Sequence, residues 1–386
     1  MTATRVELSE ALDRDALGQV GDMLRRSFDV AAFDQDDGGI RLVVNDVLPS
    51  EELKKLLKQV LRARRYATGE QIFSRSVAGR CSEDPQPALE AKRDVARIGP
   101  GLFAFRGDFL RVRTALDRLV QEVARQAGAE ELAYPALWPV GLLQAINYFH
   151  DFPQLALLAS GVSAHYEARS TFAQRFRKGS GNGEIACTAE NGMAPAANAL
   201  APTVCDCCYW LLRGRRDVGD QVLTVHGQVF RNEASVSGRL DRLTAFTMRE
   251  IVTIGSEDFV LGKREALIDE MTEMMTELDL ACTIQAADDP FFSNDALQKN
   301  AFQNLAQLKY EVVTPLFGDK NCAVASINLH NDFFSRNYDY KDLEGDDLRS
   351  GCVAFGHERL AYAMFCRHGA NLADWPSSVR AYLGLD

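Results

Sequence analysis

The sequence predicts a protein of the α+β class, with a β-hairpin at its centre, helices before and after it, and a small α/β extension at the N-terminus. Three observations carry this. Residues 222–254 read as two strands joined by a polar loop, the second of them, 243–254, with the composition and alternation of a strand. Segments such as 108–126 and 267–278 repeat apolar residues at helical spacing. Residues 1–70 combine a short strand with helical patterns of their own. A chain of 386 residues can bury a large core and hold one large domain, 71–386, beside the small one.

Taken in order, residues 1–65 read as an α-β-α module. Leu12, Leu17, Val20, Leu24 and Phe28 form a helical stripe, and Gly39 precedes a strand at Ile40, Leu42 and Val44. Ser50 is placed to cap a second helix, with Glu51 and Glu52 in its first turn and Leu53, Leu56, Leu57, Val60 and Leu61 on its apolar face. That helix ends in Arg62, Arg64 and Arg65, which read best as a solvated end. Residues 77–95, with Gly79, Pro85 and Pro87, read as a loop or linker. A helix follows from Asp108 to about Gln126, with Phe109, Val112, Leu116, Leu119 and Val123 inward. The stretch Tyr134 to Pro153 is apolar and punctuated by proline. Three cysteines then fall within four residues, Cys205, Cys207 and Cys208. Buried cysteines are ordinarily small hydrophobes, yet a Cys205/Cys207/Cys208 metal cluster stays open, although adjacent cysteines of a strand would point to opposite faces.

At the centre, the strand from Gln221 ends in Phe230-Arg231-Asn232-Glu233, and a second runs from Leu243 to Ile254. Period 2 puts Phe246, Met248, Glu250, Val252 and Ile254 on one face, and Val229, Arg231 and Glu233 on one face of the first strand. If the two pair antiparallel, charges converge on an otherwise apolar surface, where a structural hairpin gains nothing from them. A nucleotide site would use them: guanidinium for phosphate, carboxylate for an exocyclic amine, a ring for a purine. Beyond it, Leu267, Met271, Met274, Met275 and Leu278 form a helical stripe that reads as core, with a docking face as the less favoured alternative. Ala323 to Asn331 reads as a strand, and Ser350 to Leu360 as strand, glycine turn and helix onset.

Phe230-Arg231-Asn232-Glu233 with Arg242-Leu243-Thr244-Ala245-Phe246-Thr247-Met248-Arg249-Glu250 resembles motif 2 of a class II aminoacyl-tRNA synthetase. More narrowly, it resembles the amino acid:[carrier protein] ligases, relatives of the zinc-dependent seryl-tRNA synthetases of methanogens. Residues 350–360 resemble motif 3, and the segments around Lys309, Ser326 and Asn328 resemble family segments near ATP and substrate. The stretch 134–153 is similar to motif 1, which implies a homodimer. The likeness covers about residues 95–386 and implies an antiparallel sheet flanked by helices.

It also implies roles. Cys205 and Cys352 match the family's zinc cysteines, with Glu250 as the third ligand and a substrate contact; this chain departs from the family pattern at Cys207 and Cys208. Two thiolates and a carboxylate suit zinc, and three protein ligands leave a fourth position open, for the substrate's α-amino group by resemblance. Arg231 is the candidate for the ATP α-phosphate and Arg359 for the γ-phosphate; these two are the catalytic candidates. Glu233, Arg242, Leu243, Phe246, Lys309, Ser326 and Asn328 complete the expected ATP site, with Mg²⁺ bridging the phosphates. The implied reaction is activation of a small α-amino acid, glycine or alanine by analogy, as an aminoacyl-adenylate.

Transfer to the phosphopantetheine thiol of a carrier protein is favoured over transfer to tRNA. The net charge is −11, and residues 1–65 hold 11 Lys and Arg against 12 Asp and Glu, whereas phosphate backbones are bound by basic surfaces. A seryl-tRNA synthetase proper and a non-catalytic paralogue remain the rivals. Hydrophobic residues at 46% and charged residues at 25% are ordinary for a globular protein. Nine cysteines, unevenly spaced in so long a chain, point to reduced thiols and metal ligation, and with neither an apolar leader nor a membrane-length run a cytoplasmic protein is expected.

Overall fold

The structure is a computed structural model. It describes residues 2–7, 30–36, 39–45, 71–78, 83–177, 185–232, 238–287, 289 and 308–386, and single helical positions at 17, 20, 21, 24, 50, 51, 54 and 57. Its centre is an eight-stranded sheet in the order Gln71–Arg75, Cys282–Ala286, Lys309–Pro315, Asn321–Asn331, Arg349–Gly356, Ala245–Gly255, Gln221–Phe230 and Glu130–Leu132. Every neighbouring pair is antiparallel except the last, in which 130–132 runs parallel to 221–230. Helices Gly107–Gln126, Glu257–Glu277 and His357–His368 cover the sheet. The α+β, helix-flanked antiparallel expectation therefore stands.

The central hairpin pairs antiparallel as expected, with Val225 opposite Glu250, Gly227 opposite Met248 and Val229 opposite Phe246. The 245–255 strand is buried on both faces over most of its length, so it reads as a near-continuous apolar run interrupted by Arg249 and Glu250. In the 107–126 helix Phe109, Val112 and Leu116 are buried as expected, joined by Val120 and Ala124, while Leu119 and Val123 are partly buried. The methionine stripe of the 257–277 helix is core: Leu267, Met271, Met274 and Met275 are all buried. Core packing, rather than docking, accounts for it.

Four local expectations change. The N-terminal module is a three-stranded sheet, Thr2–Glu7, Gly39–Val44 and Val30–Asp36, in which only the middle strand was anticipated. It has its own small core around Val20, Leu24, Ile40, Leu42 and Leu57. Ser50 Oγ donates to the Ala3 carbonyl, tying the second helix to the first strand. Within 77–95, Gln86–Ala91 is helical: Pro85 and Pro87 flank its first turn, where proline is tolerated because those N–H groups have no helical partner. In 134–153 the order is a short strand, Leu137–Pro139, then short helices; a helix followed by a strand lies upstream, at 107–126 and 130–132. Cys207 and Cys208 lie on a one-turn helix, Asp206–Trp210, and not on a strand. Leu12, Phe28, Leu53, Leu56, Val60, Leu61, Arg62, Arg64, Arg65 and Glu233 lie outside the described residues.

Candidate active site

Cross-strand pairing decides which side chains meet. Glu250, Ala354, Ser326 and Glu311 form one row across four strands, and Val252, Cys352, Asn328 and Lys309 form the next. The segment 201–205 crosses this face. It is held by Phe230 N–H donating to the Ala201 carbonyl (2.8 Å) and Arg231 Nε donating to the Pro202 carbonyl (2.9 Å). Gly227 permits the crossing, since a Cβ there would stand 3.2 Å from Val204 Cγ1. Cys205 is thereby delivered, from the end of that segment, onto the face that carries Glu250 and Cys352.

One ligand atom each of Cys205, Glu250 and Cys352 lie within 4.8 Å of one another, and all three residues are buried. Val204 N–H donates to Glu250 Oε1 (3.4 Å), and Asn328 Nδ2 donates to Cys352 Sγ (3.4 Å) and Ser326 Oγ (3.1 Å). The Cys205 thiol is pushed well above the ordinary thiol range by its hydrogen bond with Cys352, and by burial and the Glu250 charge. At Cys352 the bond with Cys205 acts downward, but burial and Glu250 outweigh it and the net direction is up. Two thiols that resist ionisation beside a buried carboxylate fit a cation: a metal ion reverses this balance and takes thiols as thiolates. The donor set and its closeness fit a metal. Cys207 and Cys208 stand outside it, so the rival three-cysteine cluster is not formed.

Beside the cluster, the Arg231 guanidinium lies 5.4 Å from the centre of the Phe246 ring and donates to Met248 Sδ at 3.9 Å. Arg242 and Arg359 both lower the pKa of the buried Cys322 thiol, against a net rise from burial, which places both near the start of the 321–331 strand. Arg359 Nη1 also donates to the Ala323 carbonyl at 3.4 Å. Lys309 pairs with Asp289 (2.7 Å) and Glu311 (3.4 Å). Leu243 is a core side chain. Arg231, Phe246, Glu250, Cys205, Cys352, Ser326 and Asn328 thus share one face, with Arg242 and Arg359 toward one end of it.

Two neighbours were not anticipated. His330 lies 3.9 Å from Cys352 Sγ through Nε2 and 3.2 Å from the Tyr209 hydroxyl through Nδ1. Burial pulls its pKa down to about 4. Asp206 is buried next to Cys205, and burial with the nearby Glu250 charge raises its carboxyl to about 7. His330 sits two positions beyond Asn328, and the period of the strand was the available signal.

No protein-family model matches the chain. It is 32% identical over 312 residues to an amino acid--[acyl-carrier-protein] ligase of Bradyrhizobium diazoefficiens, covering 78% of this chain and 93% of that protein. The chain belongs to the amino acid--[acyl-carrier-protein] ligase family. A type-2 serine--tRNA ligase of Methanocaldococcus jannaschii is 25% identical over 309 residues, covering 77% of this ligase and 59% of the tRNA enzyme. Among solved structures, M. kandleri SerRS in complex with A. aeolicus tRNASec matches this ligase with a TM-score of 0.71 at 19% identity, over 98% of this chain and 76% of that one. That match establishes the class II synthetase-like fold. No described helix is long and apolar enough to cross a membrane.

Proposed function

We propose that this ligase activates a small α-amino acid, of the glycine or alanine type, with ATP and Mg²⁺, and passes it to the phosphopantetheine thiol of a carrier protein. The observation that carries the proposal is the buried Cys205–Glu250–Cys352 cluster set beside the Arg231–Phe246 pair. Zinc held by those three residues would supply Lewis-acid capture of the neutral α-amine, which selects α-amino acids over plain carboxylic acids.

The chain's own residues do the rest. Arg231 neutralises the α-phosphate as the substrate carboxylate attacks it, and the bond to the β-phosphate breaks to release pyrophosphate. Phe246 stacks on the adenine and Glu233 accepts from its amine. Arg242 and Arg359 hold the outer phosphates, and Lys309, Ser326, Asn328 and the backbone at Leu243 complete the nucleotide and substrate contacts. Burial of the cluster and of Met248 excludes water from the adenylate. The carrier thiol then attacks the carbonyl and AMP leaves. We further assign residues 71–386 to the catalytic unit and 1–70 to an extension, and the enzyme to a cytoplasmic homodimer.

The deciding experiment is amino-acid-dependent ATP–pyrophosphate exchange across the twenty amino acids, with Cys352→Ala beside the wild type. Exchange with one or two small amino acids, lost in the variant together with bound zinc, is expected. No exchange with any amino acid, or full activity in the variant, overturns the reading. Transfer of the labelled amino acid to tRNA instead of a carrier protein would favour the seryl-tRNA synthetase alternative, which the type-2 serine--tRNA ligase relatives keep in view.

A further inference from the structure

Alternation along the central hairpin sends a second set of side chains through the other side of the sheet. His226 is opposite Arg249, one position out of phase with the Val225–Glu250 pair, so it points away from the Cys205–Glu250–Cys352 face. There it meets Asp117 of the 107–126 helix and His357, the first residue of the 357–368 helix. His357 Nε2 stands 3.5 Å from Asp117 Oδ1, His226 Nε2 stands 4.0 Å from the same oxygen, and the two imidazole rings are 5.5 Å apart at 30°. We propose that Asp117, His226 and His357 form a second metal site, for a divalent first-row transition-metal ion, on the far face of the sheet.

Three observations support the assignment. His357 is 1% exposed and its Nε2 is buried with no hydrogen-bond partner among the described residues, an orphaned polar atom aimed into the cluster. Ligand atoms about 2.0–2.2 Å from a tetrahedral ion lie about 3.3–3.6 Å apart, so the 3.5 Å separation already fits and the 4.0 Å one closes with a small side-chain adjustment. Asp117 is oriented from behind by Arg249, which donates through Nε to Oδ1 (2.7 Å) and through Nη2 to Oδ2 (3.3 Å). A carboxylate fixed by an outer hydrogen-bond partner is the usual arrangement of a ligating acid, although the guanidinium also lowers the site's affinity for a cation.

Two imidazoles and one carboxylate favour zinc, cobalt, nickel or copper over magnesium and calcium, which take oxygen shells. The His226 side chain is 39% exposed, which gives an ion a route in from solvent. Bound there, the ion would join the 107–126 helix, the 221–230 strand and the start of the 357–368 helix, two residues before Arg359.

The test uses the full chain, stripped with a chelator and titrated with Co²⁺, because a thiolate-ligated cobalt shows a sulfur-to-metal charge-transfer band and a nitrogen–oxygen site does not. Wild type is expected to bind two equivalents, one with the band and one without. His226→Ala and His226→Gln, at a half-exposed position, should each lose only the bandless equivalent. Binding of a single, thiolate-type equivalent by the wild type, or unchanged stoichiometry in both variants, overturns the proposal. Loss of the thiolate band alone, with the second equivalent retained, would count against the zinc reading above and support this one.

Discussion

Glu358 offers a direct test of how the motif 2 strand and the motif 3 helix are locked together. Its carboxylate is 1% exposed and accepts three hydrogen bonds: Thr247 N–H to Oε2 (2.7 Å), Thr247 Oγ1–H to Oε1 (2.7 Å) and Arg113 Nη1–H to Oε1 (2.9 Å). Thr247 is the neighbour of Phe246, and Glu358 is the neighbour of Arg359, so this one side chain sets the spacing between the proposed adenine platform and the proposed γ-phosphate arginine. In Glu358→Gln the amide oxygen can serve one side only. If it faces Thr247 N–H, its NH₂ faces the Arg113 donor, and turning it over transfers the clash to the backbone. One charge-assisted bond is lost and one partly buried donor is left unmade, a cost of about 2–4 kcal/mol. At about 2 °C per kcal/mol for a large domain, Tm should fall by about 4–8 °C. Thermal unfolding and pyrophosphate exchange would be measured on the same preparations, and KM for ATP should rise as Phe246 and Arg359 lose their common anchor. A variant with wild-type Tm and wild-type KM for ATP would refute the reasoning.

Two more outcomes follow from the geometry. Elemental analysis should show that Cys205→Ser loses the metal proposed for the Cys205–Glu250–Cys352 cluster, whereas Cys208→Ala, whose thiol is buried outside the cluster, keeps it. The metal-stripped chain should lose stability as pH falls from about 6.5 toward 4, the two histidines outweighing the opposite contribution of the raised Asp206 carboxyl. His330 and His357 have folded pKa values lowered to about 4 and about 3 from 6.5, so the unfolded state takes up protons first; the stability they contribute is complete above 6.5 and is lost on acidification. Tm measured across that range should fall less steeply in His330→Gln, and an unchanged slope would exclude His330 as a contributor.

What the sequence made legible was whatever a short period could carry. The two strands of the hairpin, the shared face of Phe246, Met248 and Glu250, and the core helix 107–126 all follow from spacing. Other features fell below that signal. Thr2–Glu7 buries Thr4 and Val6, a pattern with only one aliphatic in it, and Val30–Asp36 shifts register between Val30 and Ala32, which breaks period 2. The helix at 206–210 is five residues long, too short to show a helical repeat. The Cys205, Glu250 and Cys352 set comes from distant segments, and only the resemblance joined them before the structure did. Asp117, His226 and His357 had no motif to join them, and only the packing of two helices on one strand brings them together.

That contrast also separates the cysteines from one another. Cys207 and Cys208 are buried and their thiols are pushed up chiefly by burial, which is what small hydrophobic side chains in a core do. Cys205 and Cys352 are different because Glu250 is buried between them. A carboxylate that is 2% exposed, with a 3.4 Å backbone N–H and the Cys352 thiol as its partners, is costly to bury, and its charge helps to hold the two thiols beside it high. Packing alone would favour an apolar residue at 250, as at Ile251 and Val252 on the same strand. A cation removes all three penalties at once, and the face that would hold it is the face that carries Arg231 and Phe246. The unfavourable electrostatics of these three buried acids and the composition of the surrounding face therefore both support the proposed site, which would bring an amine and a carboxylate of one small molecule up to a phosphate.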